Sequence, residues 1–148
     1  MTTYDANKDG ELDAQELETC PALASAKKQL DINQDGALSA DEIKKRFEAY
    51  ESQSDYIAIS LRVVRNEQPV ANATVTMTPE AFIGADLQSY SGTTSDDGSV
   101  SVAPANGAMP GILPIGFYQV EISGATAGKQ GCEIADDAQH GNRLEFSL

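Results

Sequence analysis

The sequence predicts an α+β protein in two parts: a small helical module over residues 1–51, then an antiparallel seven-stranded β-sandwich over residues 52–148. Three observations predict it. The hydrophobic period changes from helical to alternating near residue 52. Before that point, acids recur at spacing two around glycines. After it, short runs of Val, Thr and Ile are broken every few residues by turn-forming Gly, Pro, Asn and Asp.

Charge narrows the function classes. The 148 residues carry 23 acids and 10 bases, a formal net charge of −13 that repels phosphate backbones and anionic membrane surfaces. Neither nucleic acid nor membrane insertion is expected, because no apolar run approaches the roughly 20 residues that span a bilayer. Cations are the natural counter-species. Residues 1–51 hold 12 acids against 6 bases and residues 52–148 hold 11 against 4, so the sign is shared and only the spacing of the acids differs.

The first element is an acidic loop, and it occurs twice. Asp5, Asn7, Asp9, Gly10 and Glu16 stand at positions 1, 3, 5, 6 and 12 of one stretch; Asp31, Asn33, Asp35, Gly36 and Glu42 repeat them, with Leu12 and Leu38 both at position 8. A hard dication takes about six to eight oxygens at roughly 2.3–2.6 Å. Oxygens at spacing two wrap one side of such an ion, and glycine allows the turn that a Cβ would obstruct. The backbone carbonyl of Glu11 or Ala37 supplies position 7. Asp13 or Ser39 reaches position 9, directly or through a water, and Glu16 or Glu42 closes the cage with two oxygens. Ser39 and Glu42 also fit a helix-capping box. The repeat resembles a pair of EF-hands, which implies two Ca2+ ions held by these twelve residues, with Leu12 and Leu38 aligning the loops on a short β bridge.

Between the loops, Pro21 suits the first turn of a helix and not its interior. A short helix ending near Thr19 is expected, then one from Pro21 to Leu30 with Leu23 and Leu30 facing inward. Ile43, Phe47 and Tyr50 form one stripe of a third helix, from Ala40 to Glu51. Only four residues precede Asp5, so the first loop is expected to lean on its partner loop or on upstream residues. This compact pair resembles bacterial extracytoplasmic EF-hands more than calmodulin. Met1, Met77 and Met109 all lie outside it, which favours a structural or buffering role over an adaptable sensor groove.

Glu51 to Asp55 is a short polar linker. Beyond it, Ile57, Ile59, Leu61 and Val63 face one way with Ala58, Ser60 and Arg62 between them in a strand over 56–64, and further strands are expected over 70–78, 87–94, 100–102, 116–123 and 143–148. Asp97-Gly98 is a hairpin signal, and the prolines at 104, 110 and 114 bar a central strand between them. The runs Gln68 to Thr76, Thr94 to Val100 and Leu113 to Val120 are similar to the carboxypeptidase-regulatory-like family, with Asn72 and Val100 departing from its usual glycine and aromatic. The resemblance implies a transthyretin-like sandwich, an extracytoplasmic location within a larger protein, and a surface for a protein or cell-surface partner.

Enzymatic readings fail on counting. Iron dioxygenases built on related sandwiches need two Tyr and two His, and this chain has His140 alone, in the polar segment after Asp136. No catalytic residue is therefore assigned. Cys20 and Cys132 lie in different halves and are open to two readings, a bridge between the halves or two separately buried thiols.

Overall fold

The computed structural model describes residues 3–83, 88–124 and 129–148. The helical part begins with β1 (Glu11–Leu12) and α1 (Ala14–Leu17), which Asp13 caps by accepting from the Gln15 and Glu16 amides. Next comes α2 (Pro21–Leu30), started by its proline, with Leu23 and Leu30 buried as the sequence predicts. β2 (Leu38–Ser39) leads into α3 (Ala40–Tyr50), capped by Ser39. β1 and β2 pair antiparallel with Leu12 opposite Leu38, and both leucines are wholly buried. The expected bridge between the loops is present.

The remainder is β-rich. β3 (Tyr56–Ala58) and β4 (Ser60–Arg65) divide what the alternation reads as one strand. The break falls at Ile59, where the backbone changes partner: the Ile59 amide donates to the Gly111 carbonyl and the Ser60 amide to that of Asn142. β5 (Gln68–Pro69) turns back on β4 through Asn66 and Glu67, both at positive φ, the backbone of a tight hairpin. β6 (Thr74–Pro79) begins later than the pattern suggests, because Asn72 sits at φ 58° and interrupts the run. β7 (Tyr90–Thr93) is the core of the strand expected from Leu87, a residue outside those described. β8 (Ser99–Val100) follows the Asp97-Gly98 turn, but it pairs with β4 and not with β7, so the turn carries the chain between sheets. β9 (Ala103–Pro104) returns to β7, and β10 (Ile112–Pro114) pairs with β3. β11 (Gly116–Ile122), β12 (Gln130–Ile134) and β13 (Arg143–Ser147) complete the chain. β12 is a strand that the sequence pattern does not announce.

One sheet has the order β12-β11-β6-β7-β9 and another the order β13-β4-β5, with β8 also on β4. Pairing is antiparallel throughout except for β13, which runs parallel to β4 and so departs from the all-antiparallel expectation. Inward residues of both sheets, among them Leu61, Val63, Val75, Met77, Tyr118 and Phe146, form one core.

The five-stranded sheet has a second buried face at β11 and β12. Tyr118, Val120, Cys132 and Ile134 point into the sandwich, while Phe117, opposite Glu133, belongs to the core of the helical part. Gly131 lies under the start of α2: a Cβ there would stand 2.1 Å from the Ala22 nitrogen and 2.3 Å from the Pro21 carbonyl carbon. Backbone against backbone leaves nothing flexible to move. Gly131→Ala is therefore expected to destabilise the chain by about 1–3 kcal/mol or more, read as a lower urea midpoint. An unchanged midpoint would show that α2 does not bear on β12.

Cys20 and Cys132 are both free and buried. Burial pushes the Cys20 thiol up to about 11 against the opposing Leu23 amide, and pushes Cys132 up to about 12. Both are unreactive thiols at neutral pH.

Candidate metal centre

Each acidic loop is ordered by its own side chains. In the first, Asp5 Oδ2 accepts from the Gly10 amide at 3.1 Å, Asn7 Oδ1 from Asp9 at 2.8 Å, and Asp9 Oδ1 from Glu11 at 3.0 Å. In the second, Asp31 Oδ2 accepts from Gly36 at 3.0 Å, Asn33 Oδ1 from Asp35 at 3.0 Å, and Asp35 Oδ1 from Ala37 at 2.9 Å. Gly10 and Gly36 take φ of 91° and 88°, a conformation that L side chains rarely adopt. The two loops are copies in geometry as well as in sequence.

The closing glutamates are buried and fold back over their loops. Glu16 Oε1 accepts from the Ala6 and Asn7 amides and its Oε2 from Asp13; Glu42 Oε1 accepts from Ile32 and Asn33 and its Oε2 from the Ser39 amide and hydroxyl. Burial alone would raise the Glu42 carboxyl, but the Ser39, Asn33 and Ile32 bonds outweigh it and hold the group below its ordinary value. Positions 3, 5 and 12 of each loop are thus linked to one another, while position 1 holds the glycine amide at position 6. Asp13 and Ser39 serve as helix caps, and the Glu11 side chain is exposed.

Among the described residues, one buried side-chain oxygen in each loop has no donor. Asp5 Oδ1 and Asp31 Oδ1 are buried without a hydrogen-bond partner. A carboxylate oxygen in that condition is costly unless a cation meets it. Among the described residues no three His, Cys, Asp or Glu side chains gather as a metal cluster on their own. A six-oxygen shell in these loops draws also on the asparagine amide and the backbone carbonyl, which suits a hard, oxygen-seeking dication and not zinc.

The EF-hand family model matches this chain twice, over residues 2–21 and 28–47. The matches cover both loops and support calcium binding by the helical part. No curated protein matches the chain.

Around the two loops are residues that spacing did not single out. Tyr4, just before Asp5, donates its hydroxyl to Glu80 Oε2 at 2.9 Å. Arg46 on α3 donates from Nε to Glu133 Oε1 at 2.5 Å and from both terminal nitrogens to Asp137, at 2.9 and 2.7 Å. Tyr50 donates to the same Glu133 oxygen. Neither Glu80, one residue past β6, nor Glu133, in the strand that the sequence does not announce, carries a local sequence signal, because the partner of each lies far away in the chain. His140 sits in an exposed turn.

Proposed function

We propose that the protein is a non-enzymatic module in which two Ca2+ ions rigidify the helical part on the sandwich, used outside the cytoplasm as a structural or interaction element of a larger protein. The ligands are Asp5, Asn7, Asp9, the Glu11 carbonyl, Asp13 and Glu16 for one ion, and Asp31, Asn33, Asp35, the Ala37 carbonyl, Ser39 and Glu42 for the other. The donor-free oxygens of Asp5 and Asp31 support the ion sites. The observation that carries the structural reading is Phe117: a residue of the sheet, wholly buried in the helical core between Phe47, Tyr50 and Phe82. The face that a sensor opens to a partner is already covered by the chain itself. Millimolar calcium outside cells suits weak loops of this kind. The sandwich, similar to carboxypeptidase-regulatory-like domains, offers the surface for a protein or cell-surface partner.

A second reading, a calcium sensor whose sandwich engages a ligand or partner in a calcium-dependent way, draws on an apolar groove of about 250 Å3 lined by Tyr4, Leu12, Leu23, Ile43, Phe47 and Phe82. A calcium titration followed by circular dichroism and an apolar dye separates the two. Under the structural reading, ordering increases with no gain in dye fluorescence; a calcium-induced rise in dye binding would establish the sensor instead.

A further inference from the structure

The two loops differ in what holds the chain on entry. The second loop is entered from α2, whose backbone rests on β12 at Gly131. The described chain enters the first loop through Thr3 and Tyr4, a turn and not a helix. Tyr4 is fixed by a segment distant in sequence: its hydroxyl donates to Glu80, seventy-six positions away, and its ring meets Phe82 edge-on at 6.1 Å. Glu80 is itself rigidly placed. It lies one residue past β6, its amide donates to the Phe117 carbonyl at 2.9 Å, and its own carbonyl accepts from Ile83 at 3.0 Å. The side chain is buried, with Oε1 lacking a donor and the Cys20 thiol close by. A buried carboxylate of this kind is expensive, and neither the sandwich core nor the Arg46 contacts use it. Its hydrogen-bonded partner is the residue before Asp5, whose carboxylate opens the first loop.

We propose that Glu80, through Tyr4, is a positioning residue for calcium in the first loop: the sheet part supplies the anchor that α2 supplies for the second. Fixing Tyr4 fixes the Asp5 backbone before the ion arrives, so the ordering cost is met in advance and affinity rises. Because coupling is reciprocal, calcium in the first loop tightens the Tyr4–Glu80 contact and with it the joint between the parts. The inference rests on calcium binding by that loop, as proposed above.

The test uses the whole chain and calcium alone, followed by nitrogen–proton correlation spectra. The Gly10 amide bonds to Asp5 and the Gly36 amide to Asp31, so each reports its own loop. Glu80→Ala is expected to move the Gly10 midpoint about tenfold higher in calcium while Gly36 moves less than about twofold. Glu80→Gln keeps an oxygen for the Tyr4 hydroxyl and is expected to restore most of the affinity. Tyr4→Phe removes one hydroxyl and is expected to reproduce the Gly10 shift even if Glu80→Ala fails to fold. Equal shifts at both glycines, or none at either, would overturn the anchor alone. If neither amide responds to calcium in the unsubstituted chain, the calcium reading falls and the anchor with it.

Discussion

Arg46→Ala is expected to cost about 3–5 kcal/mol of unfolding free energy, the usual loss when one partner of a buried ion pair is removed. The Arg46 and Glu133 side chains are only 7% and 4% exposed, and their Nε–Oε1 contact is 2.5 Å. Without Arg46, Glu133 keeps the Tyr50 hydroxyl but no counter-charge, and its Oε2 already lacks a donor. Urea denaturation followed by circular dichroism reads the loss. The comparison that isolates the cause is the double replacement Arg46→Met with Glu133→Leu, which removes both charges at similar volume and is expected to recover most of the lost stability. A single variant that costs less than about 1 kcal/mol would mean that water reaches Glu133 in the native protein.

The same substitution changes the response to acid. Hydrogen bonds from Arg46, opposed by partial burial and helped by Gln53, hold the Asp137 carboxyl below its ordinary value of 3.8. A depressed folded-state value contributes stability that is present above the unfolded value and is lost as pH falls through the folded one. Arg46→Ala is therefore expected to flatten the acid limb below about pH 4 as well as lower the plateau. Asp137 is half exposed and screened, so the plateau loss is assigned to Glu133.

This clasp marks the boundary of what the sequence discloses. The two loops were legible because their shape is set locally: a glycine at positive φ and side-chain oxygens that accept nearby amides recur at fixed spacing. The three helices were legible from Pro21, the Ser39 cap and the Ile43–Tyr50 stripe, again local signals. β12 was not. Gly131 and Glu133 both disfavour strands when read alone, and they stand in one because Pro21 and Ala22 need Gly131 bare and Arg46 needs Glu133. Tertiary contacts chose those residues, and no window along the chain contains both partners. The parallel pairing of β13 with β4 is equally invisible to alternation, which fixes the buried face of a strand but not its direction. Phe117-Tyr118 was the one available hint. Two adjacent large aromatics in a strand must face opposite sides, so both sides of that sheet had to be covered.

Calcium at a hundredfold excess over its dissociation constants is expected to raise the melting temperature of the unsubstituted chain by about 10–20 °C. Each of the two sites at that excess contributes about 2.7 kcal/mol, and a chain of this size shifts by about 2–4 °C per kcal/mol. Because α2, α3 and the sheet share buried contacts, the helical part and the sandwich are expected to melt together, and calcium held in the loops then stabilises strands it does not touch. Glu16→Gln combined with Glu42→Gln is expected to abolish the calcium-dependent rise. Those substitutions also act without the ion, since Glu42 Oε1 and Oε2 both accept backbone amides, and a glutamine would turn an NH2 toward one of those donors. Stability in chelator is thus expected to fall by about 1 kcal/mol for each glutamine, the usual worth of a helix cap. The calcium term is the difference between melts with and without the ion, not the variant's absolute stability. Acid discriminates further. Glu42 is held below its ordinary value, so its share of stability is full above the unfolded value of 4.5 and vanishes as pH drops through the lower folded one. Protons and calcium compete for the same carboxylates, and the calcium-induced rise is expected to shrink over that pH window. A rise that survives both glutamine substitutions would place the ion elsewhere on this acidic surface.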